Sequence, residues 1–306
     1  MNIEKDFTNQ ILRLKPDYEG KVIATLISSN FNTENRKSIL YIHGYIDYFF
    51  QTHIAEKAHT NNFDFYALDL RKYGRSLLTH QHPNYCKNVN EYYEEIDIAI
   101  RKLKDKSTKV YMLAHSTGGL ISSTYLNSGN ERNYINGLIL NSPFLDLNFP
   151  NFKKQAIKII SGMVSKISNY AKVDGVLSEI YAKSIHKDYY GEWDFNLNWK
   201  PIQGFPTYFK WLKAIIYAQK KLQHSNIKIP VLVMHSSSSK KMQKFSEEAM
   251  KNDIVLNVND IKIVGKKLGE KVTLLEIENA MHDIFLSQKQ VQETAFKEMF
   301  SWLASF

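Results

Sequence analysis

Lys109-Val110-Tyr111-Met112-Leu113-Ala114-His115-Ser116-Thr117-Gly118-Gly119 is the stretch on which the reading of this chain turns. Val110 to Ala114 is a continuous apolar run, the pattern of a strand covered on both faces of a parallel sheet. The residues after Ser116 open a helix expected to end near Leu126. A serine between such a strand and such a helix, with small residues two positions to either side, sits on a sharp strained turn that presents its hydroxyl. Ala114 stands where glycine is usual and is one methyl larger, still small enough for strand and helix to approach. The bare pattern small-x-Ser-x-Gly is weak evidence. Its place after a strand and before a helix gives it weight.

Working outward, the same alternation recurs. Strand-like stretches cover Gly20–Ile27, Ser38–Ile42, Phe63–Leu70, Ile135–Leu140, Val231–Met234 and Val272–Ile277. Residues 51–61 read as helix. Residues 88–105 form an amphipathic helix with Tyr92, Ile96, Ala99, Ile100 and Leu103 at helical spacing. A last helix carries Val291, Ala295, Phe296, Met299, Phe300 and Leu303 on one face. Strands alternating with helices predict a mostly parallel sheet flanked by helices, with its site at the carboxyl ends of the strands. The interval 149–225 breaks the alternation. It is rich in aromatics, from Tyr181 through Trp193, Trp199 and Trp211 to Tyr217, and a helix over 153–172 would set Ile160, Met163, Val164, Ile167 and Ala171 on one side with lysines elsewhere. An insertion of this size between sheet strands is read as a helical cap over the site, in preference to a purely stabilising hairpin or a membrane-surface helix. The predicted organisation is a core in two parts, 1–148 and 226–306, with the cap at 149–225.

Size and composition are compatible with this. A chain of 306 residues with 43% hydrophobic and 23% charged residues fits an ordinary globular protein. No apolar run approaches twenty residues, so no membrane-spanning helix or stable membrane insertion is expected. The net charge of +9 is spread along the chain without a nucleic-acid module around it, so a lysine-rich solvated surface is the reading and no nucleic-acid partner is expected. Cys86 is the only cysteine, which excludes an internal disulfide and a cysteine-based metal cage. The start of the chain carries acids and no apolar core of a signal peptide. A cytoplasmic protein is the expectation.

A serine hydroxyl needs a base, and the base an orienting acid. With a strained serine turn of this kind the order along the chain is serine, acid, histidine. Ala280-Met281-His282-Asp283 falls between the last strand and the last helix, which makes His282 the candidate base. His43 and His115 are expected to pack or hydrogen-bond locally, and His53 and His59 lack a partner at metal-ligand spacing. For the acid, the run after Met234 is His235-Ser236-Ser237-Ser238-Ser239-Lys240, with no carboxylate. An insertion from Lys241 to Asn252 follows, and then Asp253-Ile254-Val255. Asp253 is the first candidate, Asp146 after the strand ending at Asn141 its rival, and Asp260 the third. The oxyanion formed on attack needs backbone donors. The amides of Thr117 and of Tyr45, in His43-Gly44-Tyr45, are the candidates.

Together, His43-Gly44, Asp69-Leu70-Arg71-Lys72-Tyr73-Gly74-Arg75-Ser76, His115-Ser116-Thr117-Gly118-Gly119, Asn141-Ser142-Pro143-Phe144 and Met281-His282-Asp283 resemble the α/β-hydrolases of the serine aminopeptidase/monoacylglycerol lipase-like (lysophospholipase-like) family. Gly191-Glu192-Trp193-Asp194 and Trp199-Lys200-Pro201 are similar to a bacterial branch of it. The departures are Ala114 and the displaced acid. The resemblance implies an α/β-hydrolase fold and cleavage of small-molecule esters, monoacyl lipids among them, without a cofactor or metal. An aminopeptidase of the same fold is the alternative, with Glu179, Asp188, Glu192 and Asp194 available to receive a free amine. A catalytically silent binding protein is the alternative from another class.

Overall fold

A computed structural model describes residues 1–31, 36–173 and 178–306, with Asn151 described in its backbone alone. In chain order the strands are β1 (Phe7–Arg13), β2 (Ile23–Ser29), β3 (Lys37–Ile42), β4 (Phe63–Asp69), β5 (Lys109–His115), β6 (Ile135–Asn141), β7 (Lys172–Val173), β8 (Thr207–Tyr208), β9 (Val231–Ser236) and β10 (Val272–Ile277). The helices are α1 (Thr52–Thr60), α2 (Tyr93–Lys104), α3 (Thr117–Ser128), α4 (Asn151–Ile167), α5 (Glu179–Ile185), α6 (Phe209–Lys221), α7 (Val258–Gly265) and α8 (Lys289–Ala304).

The main sheet has eight strands in the order β1-β2-β4-β3-β5-β6-β9-β10. β2 runs antiparallel to both its neighbours, β1 and β4; the remaining pairs are parallel. This is the mostly parallel, helix-flanked sheet that the alternation predicted, and the α/β-hydrolase architecture that the resemblance implied. The unbroken apolar run of β5 follows from its central place, since Val110, Met112 and Ala114 face one buried cluster while Tyr111 and Leu113 face the other. The first cluster holds Ile96, Ala99, Ile100 and Leu103 of α2, Leu120 and Ile121 of α3 and Trp211 and Ile215 of α6. The second holds Ile54, Ala55 and Ala58 of α1 and Ala295, Phe296, Met299 and Phe300 of α8. Every helical spacing read from the sequence for α2 and α8 thus meets a sheet face.

Three local differences from the sequence reading have physical causes. Strand β1 alternates poorly, with only Phe7 and Leu12 buried, because it is an edge strand with one partner. The helix expected over 153–172 ends at Ile167, and Lys172–Val173 instead pairs with Thr207–Tyr208. Its orientation is also unexpected. Phe152, Ile159, Ile160, Met163 and Ile167 are exposed by 71%, 60%, 43%, 55% and 88%, whereas Ser161 and Ser165 are buried. Small inward residues let α4 lie close against α6, and the apolar stripe is left outside. Residues 174–177 of the expected cap lie outside the described residues. No helix among the described residues is long and apolar enough to cross a membrane.

Two substitutions separate the two kinds of apolar helix face. Ile100→Ala, in a fully buried position, is expected to lower stability by about 2–5 kcal/mol. Ile159→Gln is expected to change it by less than about 0.5 kcal/mol. Urea unfolding midpoints report both, and comparable losses would place α4 wrongly.

Candidate active site

Parallel pairing brings the carboxyl ends of β3, β4, β5, β6, β9 and β10 to one edge of the sheet. Ile42 of β3 pairs with Ala114 of β5, so the loop beginning at His43 lies beside Ser116. Ser116 has φ 50° and ψ −116°, a left-handed conformation that a non-glycine residue adopts at a cost on the order of 1–3 kcal/mol. Backbone bonds hold it there, from Ser116 N–H to the Asn141 carbonyl (3.0 Å) and from Phe144 N–H to the Ser116 carbonyl (2.9 Å). Gly118 is required by proximity: a Cβ there would lie 2.3 Å from the His43 carbonyl oxygen and 2.5 Å from that of Ile42. Ala114 is fully buried between Ile42 and Leu140, and its extra methyl group is accommodated in the core.

His282 is brought to Ser116 from the loop after β10. Its Nδ1 lies 2.9 Å from Asp253 Oδ2 and its Nε2 3.0 Å from Ser116 Oγ. A carboxylate only accepts, so Nδ1–H donates to Asp253 and Nε2 is left to accept the serine proton. All three groups are buried. Asp253 Oδ1 accepts from the Val255 and Leu256 amides, at 2.9 and 2.7 Å, which orients the carboxylate. The absence of a carboxylate directly after β9 has a geometric counterpart. The chain leaves at Lys240, loops through the insertion and returns so that Asp253 forms a parallel bridge with Ser239. Asp253 N–H donates to the Ser238 carbonyl and Lys240 N–H to that of Asp253, both at 3.0 Å. The rivals lie elsewhere, with Asp146 and Asp260 sharing Lys154 at 2.6 and 3.3 Å.

Among the described residues the Tyr45 and Thr117 amides donate to no protein acceptor, so both stay available beside Ser116. The Tyr45 ring stacks on Trp211 at 4.0 Å and its hydroxyl donates to Thr207 Oγ1. The next residue, Ile46, holds φ 49°, an uncommon conformation for a β-branched side chain. His43 is occupied locally: Nε2 accepts from Leu70 N–H at 3.0 Å and Nδ1–H donates to the Gly44 carbonyl at 2.8 Å. Burial pushes its pKa below the ordinary histidine value. His115 packs 5.0 Å from the His282 ring, with no hydrogen-bond partner for either nitrogen.

Several supporting groups were not singled out in the sequence. Asp283 accepts from Asn141 Nδ2–H at 2.7 Å and Gln51 Nε2–H at 3.3 Å, while Ile284 N–H donates to Asn141 Oδ1. These bonds fasten the histidine loop to the end of β6 and the start of α1. Asn141 and Asp283 sit inside quoted motifs, which was the available signal; Gln51 carries none. From the interval 149–225, Tyr181 on α5 lays its ring 5.4 Å from the His282 imidazole. Glu179, Asp188, Glu192 and Asp194 are all exposed, and Glu179 and Asp194 pair with Lys183 and Lys187. Among the described residues no three His, Cys, Asp or Glu side chains cluster as a metal site requires.

Comparison with known proteins gives this geometry a context. The sequence model of the family described as serine aminopeptidase, S33, matches residues 33–289. Phospholipase YtpA of Bacillus subtilis (strain 168) is 29% identical over 161 residues, which span 52% of this chain and 60% of that protein. A soluble variant of monoglyceride lipase from Saccharomyces cerevisiae superposes with a TM-score of 0.70 at 17% identity, covering 97% of this chain and 96% of its own. The monoacylglycerol lipase of Paleococcus ferrophilus does so at 0.68 and 18%, covering 97% and 99%. A carboxyl esterase from Bacillus coagulans gives 0.69 and 14%, covering 97% and 98%. At these identities the structures speak for the fold.

The buried histidines set a pH dependence. The folded-state pKa values of His43, His53 and His235 are all lowered, chiefly by burial. Below the ordinary histidine pKa of about 6.5 the unfolded chain therefore binds more protons than the folded one, and stability falls as pH falls. Urea titrations at about pH 7.5 and about pH 5.5 should show the lower midpoint at the acid end. A midpoint unchanged or higher there would contradict neutral buried imidazoles.

Proposed function

The chain belongs to the serine aminopeptidase (S33) family of α/β-hydrolases, and on that premise we propose that it is a serine hydrolase cleaving carboxylic esters, monoacyl lipids foremost. The observation that carries this reading is the relay of two hydrogen bonds from Ser116 through His282 to buried Asp253. Ser116 Oγ attacks the ester carbonyl carbon as its proton passes to His282 Nε2, with Asp253 stabilising the imidazolium. The Tyr45 and Thr117 amides hold the oxyanion. Collapse of the tetrahedral adduct breaks the bond to the alkoxy oxygen, and His282 returns the proton to that leaving alcohol. Water then repeats the sequence on the acyl-enzyme, releasing the acid and restoring Ser116.

Residues 149–225 are the cap in this reading, with α5 over the reacting groups. Ester is favoured over the cleavage of free-amine peptides because the acids available to grip an amine point outward and are partly engaged with lysines. Lipid is favoured among esters by the apolar stripe of α4, bordered by Lys153 and Lys166, which offers a lipid surface both hydrophobic and cationic contact. The names of the phospholipase and monoglyceride lipase relatives point the same way. The lone, buried Cys86 is in keeping with a cytoplasmic setting.

Ser116→Ala should abolish both hydrolysis of nitrophenyl esters and labelling by a fluorophosphonate, with the fold retained; residual turnover near wild type would remove Ser116 from the mechanism. Asp253→Asn is expected to lower kcat by about 10⁴-fold, while Asp146→Asn changes it little. The reverse result would move the acid to β6. Monoacylglycerols of graded chain length should be cleaved much faster than a proline amide. Equal rates on the amide would favour the peptidase alternative.

A further inference from the structure

The segment from Gly191-Glu192-Trp193-Asp194 to Trp199-Lys200-Pro201 takes no part in the reaction above, yet it fastens together the two loops that flank Ser116. Trp193 lies against His53 and donates its Nε1–H to the Leu286 carbonyl at 2.9 Å, just beyond His282. On the other side Asn196 N–H donates to Tyr48 Oη at 2.6 Å, and Trp199 packs edge-on to the Tyr48 ring at 5.1 Å. Phe195 and Ile202 complete a buried cluster with Tyr48, Met281 and Leu286.

At the end of this strap Lys200 is driven inside. Its Nζ lies 2.8 Å from Asp47 Oδ1 and 3.4 Å from the Ile46 carbonyl oxygen, above the rings of Phe50 and Phe195. The other carboxylate oxygen of Asp47 has no hydrogen bond; it faces His115 Nδ1 at 3.6 Å, too far for one. Burial disfavours the charged carboxylate, but Lys200 and then His115 outweigh it and hold the Asp47 carboxyl well below the usual carboxylate range. A buried ammonium is a poor device for packing alone, because an apolar side chain fills the space without desolvating a charge. What Lys200 grips is informative. Ile46 holds its left-handed conformation immediately after Tyr45, and such strain persists only where surrounding contacts over-determine it.

We propose that Lys200 is a positioning residue for ester hydrolysis: by binding the Ile46 carbonyl and the Asp47 carboxylate, it holds the oxyanion loop in the strained shape that aims the Tyr45 amide. The inference rests on the reading of that amide as an oxyanion donor. It makes the strap part of the transition-state machinery, and it predicts that Lys200 acts on kcat rather than on substrate binding.

The test compares wild type, Lys200→Met and the double variant Lys200→Met/Asp47→Asn on a nitrophenyl ester, with thermal unfolding in parallel. The single change strands a buried carboxylate and lowers stability; the second change removes that charge. The expected result is that the double variant regains stability while kcat stays down by about 10- to 100-fold, with KM within about threefold. Fluorophosphonate labelling, whose phosphonyl oxygen uses the same donors, should slow by a similar factor. Should the Met double variant not fold, Lys200→Gln/Asp47→Asn, a neutral polar pair too short to reach the Ile46 carbonyl, is read in the same way. Recovery of kcat together with stability overturns the proposal and makes Lys200 a tether only, as does a rise in KM at unchanged kcat. A wild-type protein that hydrolyses no ester and takes no label fails the serine-hydrolase reading itself, and this inference with it.

Discussion

The close approach of α3 to the end of β3 is the constraint on which the rest of the molecule depends. Gly118 lets the helix lie directly against the carbonyls of Ile42 and His43, where any Cβ would force it away from the sheet. The turn between β5 and α3 must then be sharp, and Ser116 takes the strained conformation that results. The same approach brings the free Thr117 amide toward the loop that carries Tyr45. Pro143, which would lie 2.7 Å from a Cβ at Gly119, closes the other side from the end of β6. Strain at one residue is thus sustained by packing at three strand ends.

Around this fixed point the remaining groups are held by connections between loops more than by the loops themselves. Asp283 fastens the histidine loop to Asn141 and Gln51. Asp69 does the same for the segment after β3, accepting from Phe49 N–H at 2.9 Å and from the Arg75 guanidinium at 2.7 Å. There Gly74 is at φ 47°, and a Cβ would lie 2.4 Å from that of Tyr48. Buried carboxylates tying backbone amides make a rigid rim, which is the condition for donors to be aimed before substrate arrives.

Much of this was legible in the residues, for identifiable reasons. The inner strands β3, β4, β5, β6 and β9 announce themselves because burial on both faces leaves nearly continuous apolar runs, and α2 and α8 because each has one buried side. Ser116 and His282 are legible because chain order and strand ends restrict where such groups can stand. Strand β1 escaped notice since, with one partner, it buries only Phe7 and Leu12 and shows neither a run nor an alternation, and α4 deceived because helical periodicity reveals a stripe without saying which way it turns. Asp47 and Lys200 were illegible as a pair. They stand 153 residues apart in sequence, and a buried ion pair leaves no local pattern.

The bridge between Ser239 and Asp253 has a wider consequence. The proposed acid is located by where the chain comes back, and the bridge fixes that point independently of the path from Lys241 to Asn252. Closing a longer loop adds little entropy, since the penalty grows only with the logarithm of its length. The edge of the sheet here acts as a docking rail for a returning segment, a joint at which growth of the protein's exterior is decoupled from the spacing of the groups inside. Tyr190 stacks on Phe245 at 3.6 Å, so the loop from Lys241 to Asn252 touches the interval 149–225. A change in its length would alter the surface above Ser116 and leave the bridge, and so the position of Asp253, in place.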